Sequence, residues 1–239
     1  MSQATFFNLQ SDGASIVVDL STGTPVVLHW GASLGQGFNE QDFINATREA
    51  VPHGDLDDYQ NPGVWRENAR GFLGRPALLG HRAGLDWSQK FEVVEVSATE
   101  NSLFVRSADE QAGLELTVKF EFASGGVLKI SQSVKNTGAG DFSLDALTTF
   151  MPLPDYAAET MDFTGRWVKE RQPQRRSIQV GTWAREGREG RSGHDYTIVQ
   201  LAMTAGAGYQ QGEVWSLGLQ WSGNTRHLIE KMATGRTTM

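Results

Sequence analysis

Leu114, Leu116, Val118, Phe120 and Phe122 alternate with Glu115, Thr117, Lys119 and Glu121. A period of two with one apolar and one polar side predicts a strand facing a core on one side and water on the other, as in antiparallel sheets. Gly212 to Asn224 repeats the pattern, with Trp215, Leu217, Leu219 and Trp221 set against Val214, Ser216, Gly218 and Gln220. Two tryptophans and two leucines on one side call for a broad apolar surface. This stretch is therefore expected to be a central strand of a large sheet, with Trp215 and Trp221 in the core. Gly218 leaves room for close approach on its other side, and Ser222-Gly223-Asn224 closes the strand with turn residues. Ala14 to Leu20 and Pro25 to Trp30 are β-branched runs joined by Ser21-Thr22-Gly23-Thr24, the pattern of a hairpin. Further strands are expected at Phe91 to Val96, Ser102 to Arg106, Val127 to Val134 and Phe142 to Met151, then at Ser177 to Trp183, Tyr196 to Thr204 and His227 to Met232.

Between Gly31 and about Pro76 the alternation fails. One short helical turn fits near Asn39 to Glu49, followed by the irregular stretch VPHGDLDDYQNPGVWRENARGFLGRPALLGHR. A long aperiodic loop inside a compact domain is usually functional or disordered. Tyr59, Trp65 and Phe72 argue against simple disorder. No helix of ordinary length, internal repeat or shift of composition interrupts the chain. The expectation is one domain, residues 1–239, all-β, built as a large antiparallel two-sheet sandwich.

Composition narrows the function more than the fold. Hydrophobic residues make up 39% of the 239, enough for a real core. With 28 acidic against 21 basic side chains, the net charge of -7 argues against a nucleic-acid partner. No apolar run reaches membrane-spanning length, and Met1-Ser2-Gln3-Ala4 lacks the order of a signal peptide. Cysteine is absent, which excludes disulfides and thiol chemistry, and these features taken together favour the cytoplasm.

The residues that could carry chemistry are scattered. Asp55, Asp57 and Asp58 cluster in the irregular loop. Glycoside cleavage needs two carboxylates facing each other across a bond in different environments, and three acids in one short turn fit a solvated or cation-binding turn better, with contact to a polar ligand as the second reading. His29, His53, His81, His194 and His227 share no metal-ligand spacing, so no metal site and no cofactor are expected. GRSGH lacks the spacing and following helix of a nucleophile elbow, and Gly187 to Gly190 lack the order of a phosphate loop. Arg185, Arg188 and Arg191 fit a solvated loop or ion pairs across an interface. Trp65 stands among polar residues, where an indole can stack on a sugar ring, on another subunit or on its own sandwich.

LGHRAGLDWSQKF, GRWVKERQPQ, the GREGRSGH loop and GEVWSLGLQWSGN occur in this order. Together they resemble the N-terminal part of the bacterial α-galactosidases (melibiases) of glycoside hydrolase family 36, from roughly Gly31 onward. The resemblance implies a galactose-mutarotase-like supersandwich that precedes a catalytic (β/α)8 barrel. It also implies retaining hydrolysis by two aspartates of that barrel, so that no catalytic residue is expected in this chain. Family tetramers send loops of this region into a neighbouring subunit's sugar pocket. Carried over to LDDYQNPGVWRENARGF, this makes Asp57 and Trp65 the leading candidates for contacts to sugar, with Asp58, Glu67 and Phe72 behind them. The partners implied are α-galactosides bound by the full-length enzyme, the C-terminal barrel and further copies in a homo-oligomer. Leu78 to Arg82 and Gly165 to Arg171 are expected to serve the fold or an interface. Two other readings stand beside this one. One is a free-standing carbohydrate-binding sandwich; the other is an aldose-epimerase-like enzyme with converging histidines and a carboxylate.

Overall fold

The computed structural model describes residues 5–35, 37, 39–47, 53 and 63–239. The chain divides into two compact units, residues 1–150 and 151–239. Every strand pairing between the named strands is antiparallel. The fold is thus the all-β antiparallel sandwich class that the strand pattern predicts. Among the described residues, no helix is long and apolar enough to cross a membrane.

The first unit contains β1 (Phe6–Ser11), β2 (Ala14–Asp19), β3 (Val26–Ala32), the helix α1 (Glu40–Thr47) and β4 (Leu78–His81). β5 (Glu92–Ala98), β6 (Ser102–Asp109), β7 (Leu114–Ala123), β8 (Val127–Asn136) and β9 (Ser143–Leu147) complete it. They form sheets β1-β2-β3, β5-β6-β7-β8 and β4-β9. α1 lies where a short helical turn is expected, and the side chain of Asn39 caps it by accepting the Asp42 N–H at 2.9 Å. β7 realises its alternation fully: Leu114, Leu116, Val118, Phe120 and Phe122 are all buried, while the polar residues between them reach water.

The second unit contains β10 (Pro152–Leu153), β11 (Ala157–Arg166), β12 (Lys169–Ser177), β13 (Gly181–Gly187) and β14 (Val199–Thr204). β15 (Val214–Gly218), β16 (Thr225–Lys231) and β17 (Thr237–Thr238) follow. The sheet orders are β12-β11-β14-β15 and β10-β17-β16-β13. Asp162 on β11 ties the two sheets together. Its Oδ1 accepts from Arg176 of β12 at 2.7 Å, and its Oδ2 lies 3.0 Å from the guanidinium of Arg185 on β13. Arg185 also donates to Thr164 Oγ1 at 2.7 Å and to the Asp195 carbonyl, and Arg176 lies 4.1 Å over the ring of Trp183. His227 is buried, its ring stacked on that of Tyr196 at 5.4 Å. Burial pushes its pKa down, against the pull of Asp162 and of a backbone hydrogen bond.

Three expectations need correction here. β15 is an edge strand, not a central one, and it stops at Gly218. Trp221 lies beyond it, 66% exposed, and Trp215 is only half-buried, 5.7 Å from the ring of Tyr156. Period two separates the faces of a strand but carries no information about what covers each face or how many neighbours the strand has. The expected strand from Ser177 to Trp183 is the end of β12 and the start of β13, divided near Gly181, whose φ of 113° takes the chain out of the extended region. Arg185 is not a solvated loop residue but a β13 residue paired with Asp162.

The β11–β12 hairpin turns through Trp167 and Val168, and Val168 holds φ at 69°. A β-branched side chain is strained there, by about 1–2 kcal/mol. Val168→Gly is therefore expected to raise stability by about 1 kcal/mol, after allowing for the freer unfolded chain. The check is a melting temperature a few degrees higher.

Candidate functional site

The segment carrying the sequence-predicted sugar contacts enters the described structure at Gly63. No side chain fits at this position, because a Cβ would lie 2.3 Å from the Pro25 carbonyl oxygen. Val64 N–H donates to that carbonyl at 2.8 Å, which sets the segment against the start of β3. Asp57 and Asp58 lie outside the described residues, as does Asp55.

Trp65, Glu67 and Phe72 are all brought into one region of the first unit, and all three are buried. Trp65 is 2% exposed, and its indole Nε1 donates to Gln132 Oε1 on β8 at 2.9 Å. Gln132 in turn donates to Thr149 Oγ1. Arg66 is also buried, its guanidinium 3.8 Å over the ring of Phe150 and 4.8 Å over that of Phe72. Two aromatic faces around one guanidinium form a cation–π pair of contacts, strongest where water is excluded. Phe72 thus has its ring engaged within the chain.

The Glu67 carboxylate organises the turn that follows. One oxygen accepts the Phe91 N–H at 2.7 Å and the other accepts Arg70 Nε at 2.5 Å. Arg70 reaches on to the carbonyls of Thr22 and Phe91 and to Glu92. The short 3-10 helix Asn68–Arg70 holds the two ends of this pair one turn apart, and Gly71 stops it with φ at 84°. Asn68 Nδ2 donates to the Phe72 carbonyl at 2.7 Å and to that of Gly74 at 3.2 Å, closing the loop on itself.

A small cavity of about 10 Å³ lies among Trp65, Glu67, Asn68, Trp87, Gln89 and Phe91. That is room for about one water molecule and not for a sugar ring. Burial raises the Glu67 pKa above the usual carboxylate range, and the Phe91 N–H and Arg70 oppose the rise. The folded chain therefore binds this proton more tightly than the unfolded chain does. Stability from this group falls as pH rises from the ordinary glutamate value through the raised one. Glu67→Gln is expected to flatten that fall and to lower stability at neutral pH by about 1–2 kcal/mol, through loss of a charge-assisted hydrogen bond. Urea unfolding of both proteins at a series of pH values measures the two effects together.

The histidines occupy separate elements. His29 lies on β3 with its Nε2 2.9 Å from the Ala32 carbonyl, and His81 on β4 accepts the Gly84 N–H at 3.2 Å. His194 lies in the loop before β14, and His227 lies on β16. Among the described residues, no group of histidines and carboxylates has the arrangement of a metal site. Arg66, Arg70 and Gln132 are the residues that sequence reasoning passed over. Gln132 meets Trp65 across 67 positions, and Arg66 and Arg70 reach Phe150 and Thr22 as well as their near neighbours Phe72 and Glu67, so a linear reading shows only part of what engages them.

The all-β antiparallel sandwich agrees with the known proteins this chain resembles. The sequence profile of the glycosyl hydrolase family 36 N-terminal domain matches residues 23–239, and the chain belongs to that family. It is similar to the alpha-galactosidase of Escherichia coli, 36% identical over 210 residues, which span 88% of this chain and 29% of that protein. It is also similar to alpha-galactosidase AgaA of Geobacillus stearothermophilus, 27% identical over 70% of this chain and 22% of that protein. Among solved structures, the galactosidase domain of the alpha-galactosidase-sucrose kinase AgaSK covers 98% of this chain with a TM-score of 0.83 at 17% identity. The crystal structure of AgaA covers 98% with a TM-score of 0.80 at 21% identity, and these likenesses extend to 36% of each of those chains. The chain thus spans about a third or less of these relatives' lengths. Family membership does not favour the free-standing sandwich or the aldose-epimerase reading.

Proposed function

We propose that this chain is the non-catalytic N-terminal domain, residues 1–239, of an α-galactosidase that removes terminal α-galactosyl groups with retention. Its two compact units together make up that domain. In this reading a C-terminal (β/α)8 barrel supplies both catalytic carboxylates. The observation that carries it is the match of the family 36 N-terminal profile across both units, from residue 23 to 239. The relatives add support: a variant of AgaA has been crystallised in complex with raffinose.

The domain's own contribution is to assembly, as a homo-oligomer on the tetrameric pattern, and to a neighbouring subunit's sugar pocket. Asp57 and Asp58 are the members of the candidate set proposed to meet sugar hydroxyls. Trp65, Glu67 and Phe72, each satisfied within the first unit, act by anchoring the end of the segment that carries them. The absence of cysteine fits a reducing compartment, and we place the protein in the cytoplasm.

The test is hydrolysis of a chromogenic α-galactoside by this chain beside the same chain extended through downstream coding sequence. Turnover only in the extended polypeptide supports the reading. Turnover by the short chain that disappears on mutating one of its own carboxylates overturns it. In the extended polypeptide, Asp57→Ala is expected to raise KM with the fold intact.

A further inference from the structure

The sheet β12-β11-β14-β15 ends at β15, with no strand beyond it among the described residues. Trp215 lies on that edge opposite Ala202, so across the pair its indole has only a methyl group beside it. It is half-buried, and the ring of Tyr156 stands 5.7 Å away, inclined to it at 58°. Tyr156 itself is 59% exposed, in the turn that Ala157 closes by donating to the Pro154 carbonyl at 2.9 Å. Its hydroxyl donates to the carboxylate of Glu213, also an exposed residue. A hydrogen bond between two exposed residues adds little stability, since water competes for both groups. What this bond does is hold the phenol ring at a set angle to the indole.

The loop before β15 is pinned at several points. Glu213 N–H donates to Thr204 Oγ1 at 3.1 Å, and its carbonyl accepts the Thr204 N–H at 3.1 Å. Gly212 holds φ at 100°, and a Cβ there would lie 2.6 Å from that of Ala207, so the loop folds closely onto Ala207. Arg175 of β12 donates to the Ala207 carbonyl at 2.7 Å and pairs with Glu159 of β11. A ligand therefore meets the carboxylate and both rings already ordered. Two inclined ring faces with an acceptor at their rim match the surface of a pyranose. The C–H groups on one face of the sugar pack against an aromatic face, and hydroxyls at its edge donate to a carboxylate. A carboxylate has about four acceptor positions, so Glu213 can take hydroxyls while keeping the phenol. A cation also suits aromatic faces, but water and salt screen the charge of an exposed carboxylate, which leaves Glu213 more effective as an acceptor than as a counter-ion.

We propose that Tyr156, Trp215 and Glu213 form a binding site for one pyranose ring of a neutral oligosaccharide, the two aromatic rings stacking on its C–H face and Glu213 accepting its hydroxyls. The site belongs to residues 151–239 and holds sugar without acting on it. The proposal rests on the function proposed above for the class of sugar, and it adds a holding site which that function does not contain.

The test is a titration of the full chain with raffinose, read by saturation-transfer difference NMR and by isothermal titration calorimetry. Binding in the millimolar range is expected for one stacked ring and a few exchangeable hydrogen bonds. Tyr156→Ala removes an exposed ring and should weaken binding at least tenfold with the melting curve unchanged. Trp215→Ala should weaken it as much, and Glu213→Ala about three- to tenfold, the effect of one hydrogen-bonding group. Because Trp215 is half-buried, the exposed Tyr156 and Glu213 keep the test independent of folding losses. Trp221→Ala, which removes another exposed tryptophan of this unit, should bind as wild type does. A wild-type chain that shows no binding at the highest soluble raffinose concentration overturns the proposal, as do Tyr156→Ala and Glu213→Ala chains that bind like wild type. Binding that survives those changes and is lost with Asp57→Ala belongs to the loop of that residue and overturns the proposal equally. Displacement of raffinose by choline would mark a cation site and overturn it too. None of these titrations involves turnover, so the hydrolase reading stands or falls separately, on hydrolysis by the extended polypeptide.

Discussion

Trp65→Ala is expected to destabilise the first unit by about 3–5 kcal/mol, most of what holds a domain of ordinary stability together. The indole is 2% exposed, so truncation leaves a cavity inside a packed core. It also removes the donor that Gln132 Oε1 accepts at 2.9 Å, leaving a half-buried amide on β8 short of a partner. Trp65→Phe separates these effects. A phenyl ring refills much of the space and loses only the hydrogen bond and the outer ring, so a loss of about 1–2 kcal/mol is expected. Urea unfolding followed by far-ultraviolet circular dichroism measures both variants. The same pair bears on function. An anchoring tryptophan predicts that, in the extended polypeptide, Trp65→Phe keeps its affinity for galactosides while losing stability. A tryptophan that stacks on sugar predicts the reverse, with near-normal stability and raised KM for both variants.

The strands legible in the sequence are those whose partners are local and whose faces differ in polarity. β7 is the clearest case: its apolar positions point into the core, and its neighbours β6 and β8 are reached by short turns. β11 was invisible for the opposite reason. Its buried positions include Thr160 and Asp162, polar residues satisfied by Leu201, Arg176 and Arg185, so its inward face does not read as apolar. β15 shows a third limit. Its alternation is real, but edge or centre is decided by pairing with β14 alone, which no pattern within the strand encodes. At the candidate site, Trp65 reads as an aromatic among polar residues because Gln132 stands 67 positions away. Glu67 likewise meets Phe91 across 24 positions, so a carboxylate that looks free in the sequence is fully engaged in the fold.

Asp162→Ala should be the most damaging single change in the second unit. The carboxylate is 3% exposed and stands between the guanidiniums of Arg176 and Arg185, at 2.7 Å and 3.0 Å. Its removal leaves two cations facing each other across two sheets, each only about a quarter exposed. Taking one partner from a buried ion pair costs about 3–5 kcal/mol, because the remaining charge keeps its desolvation without its attraction. Arg176 retains the face of Trp183, and Arg185 retains Thr164 and the Asp195 carbonyl. Those contacts place the expected loss near the lower end, at about 3 kcal/mol. Asp162→Asn keeps the size and one acceptor but not the charge, so it should fall between the alanine variant and wild type. The pH dependence should change with it. Burial holds His227 neutral by lowering its pKa, so acid charges it at a cost and stability falls as pH drops below the ordinary histidine value towards the lowered one. Asp162 is the charge that favours protonated His227, and without it the His227 pKa should fall further. The acid-side loss of stability in Asp162→Ala should then reach to lower pH and grow larger than in wild type. Thermal melts of both proteins across pH 4 to 7 measure it, and equal acid-side slopes would show that Asp162 and His227 do not communicate.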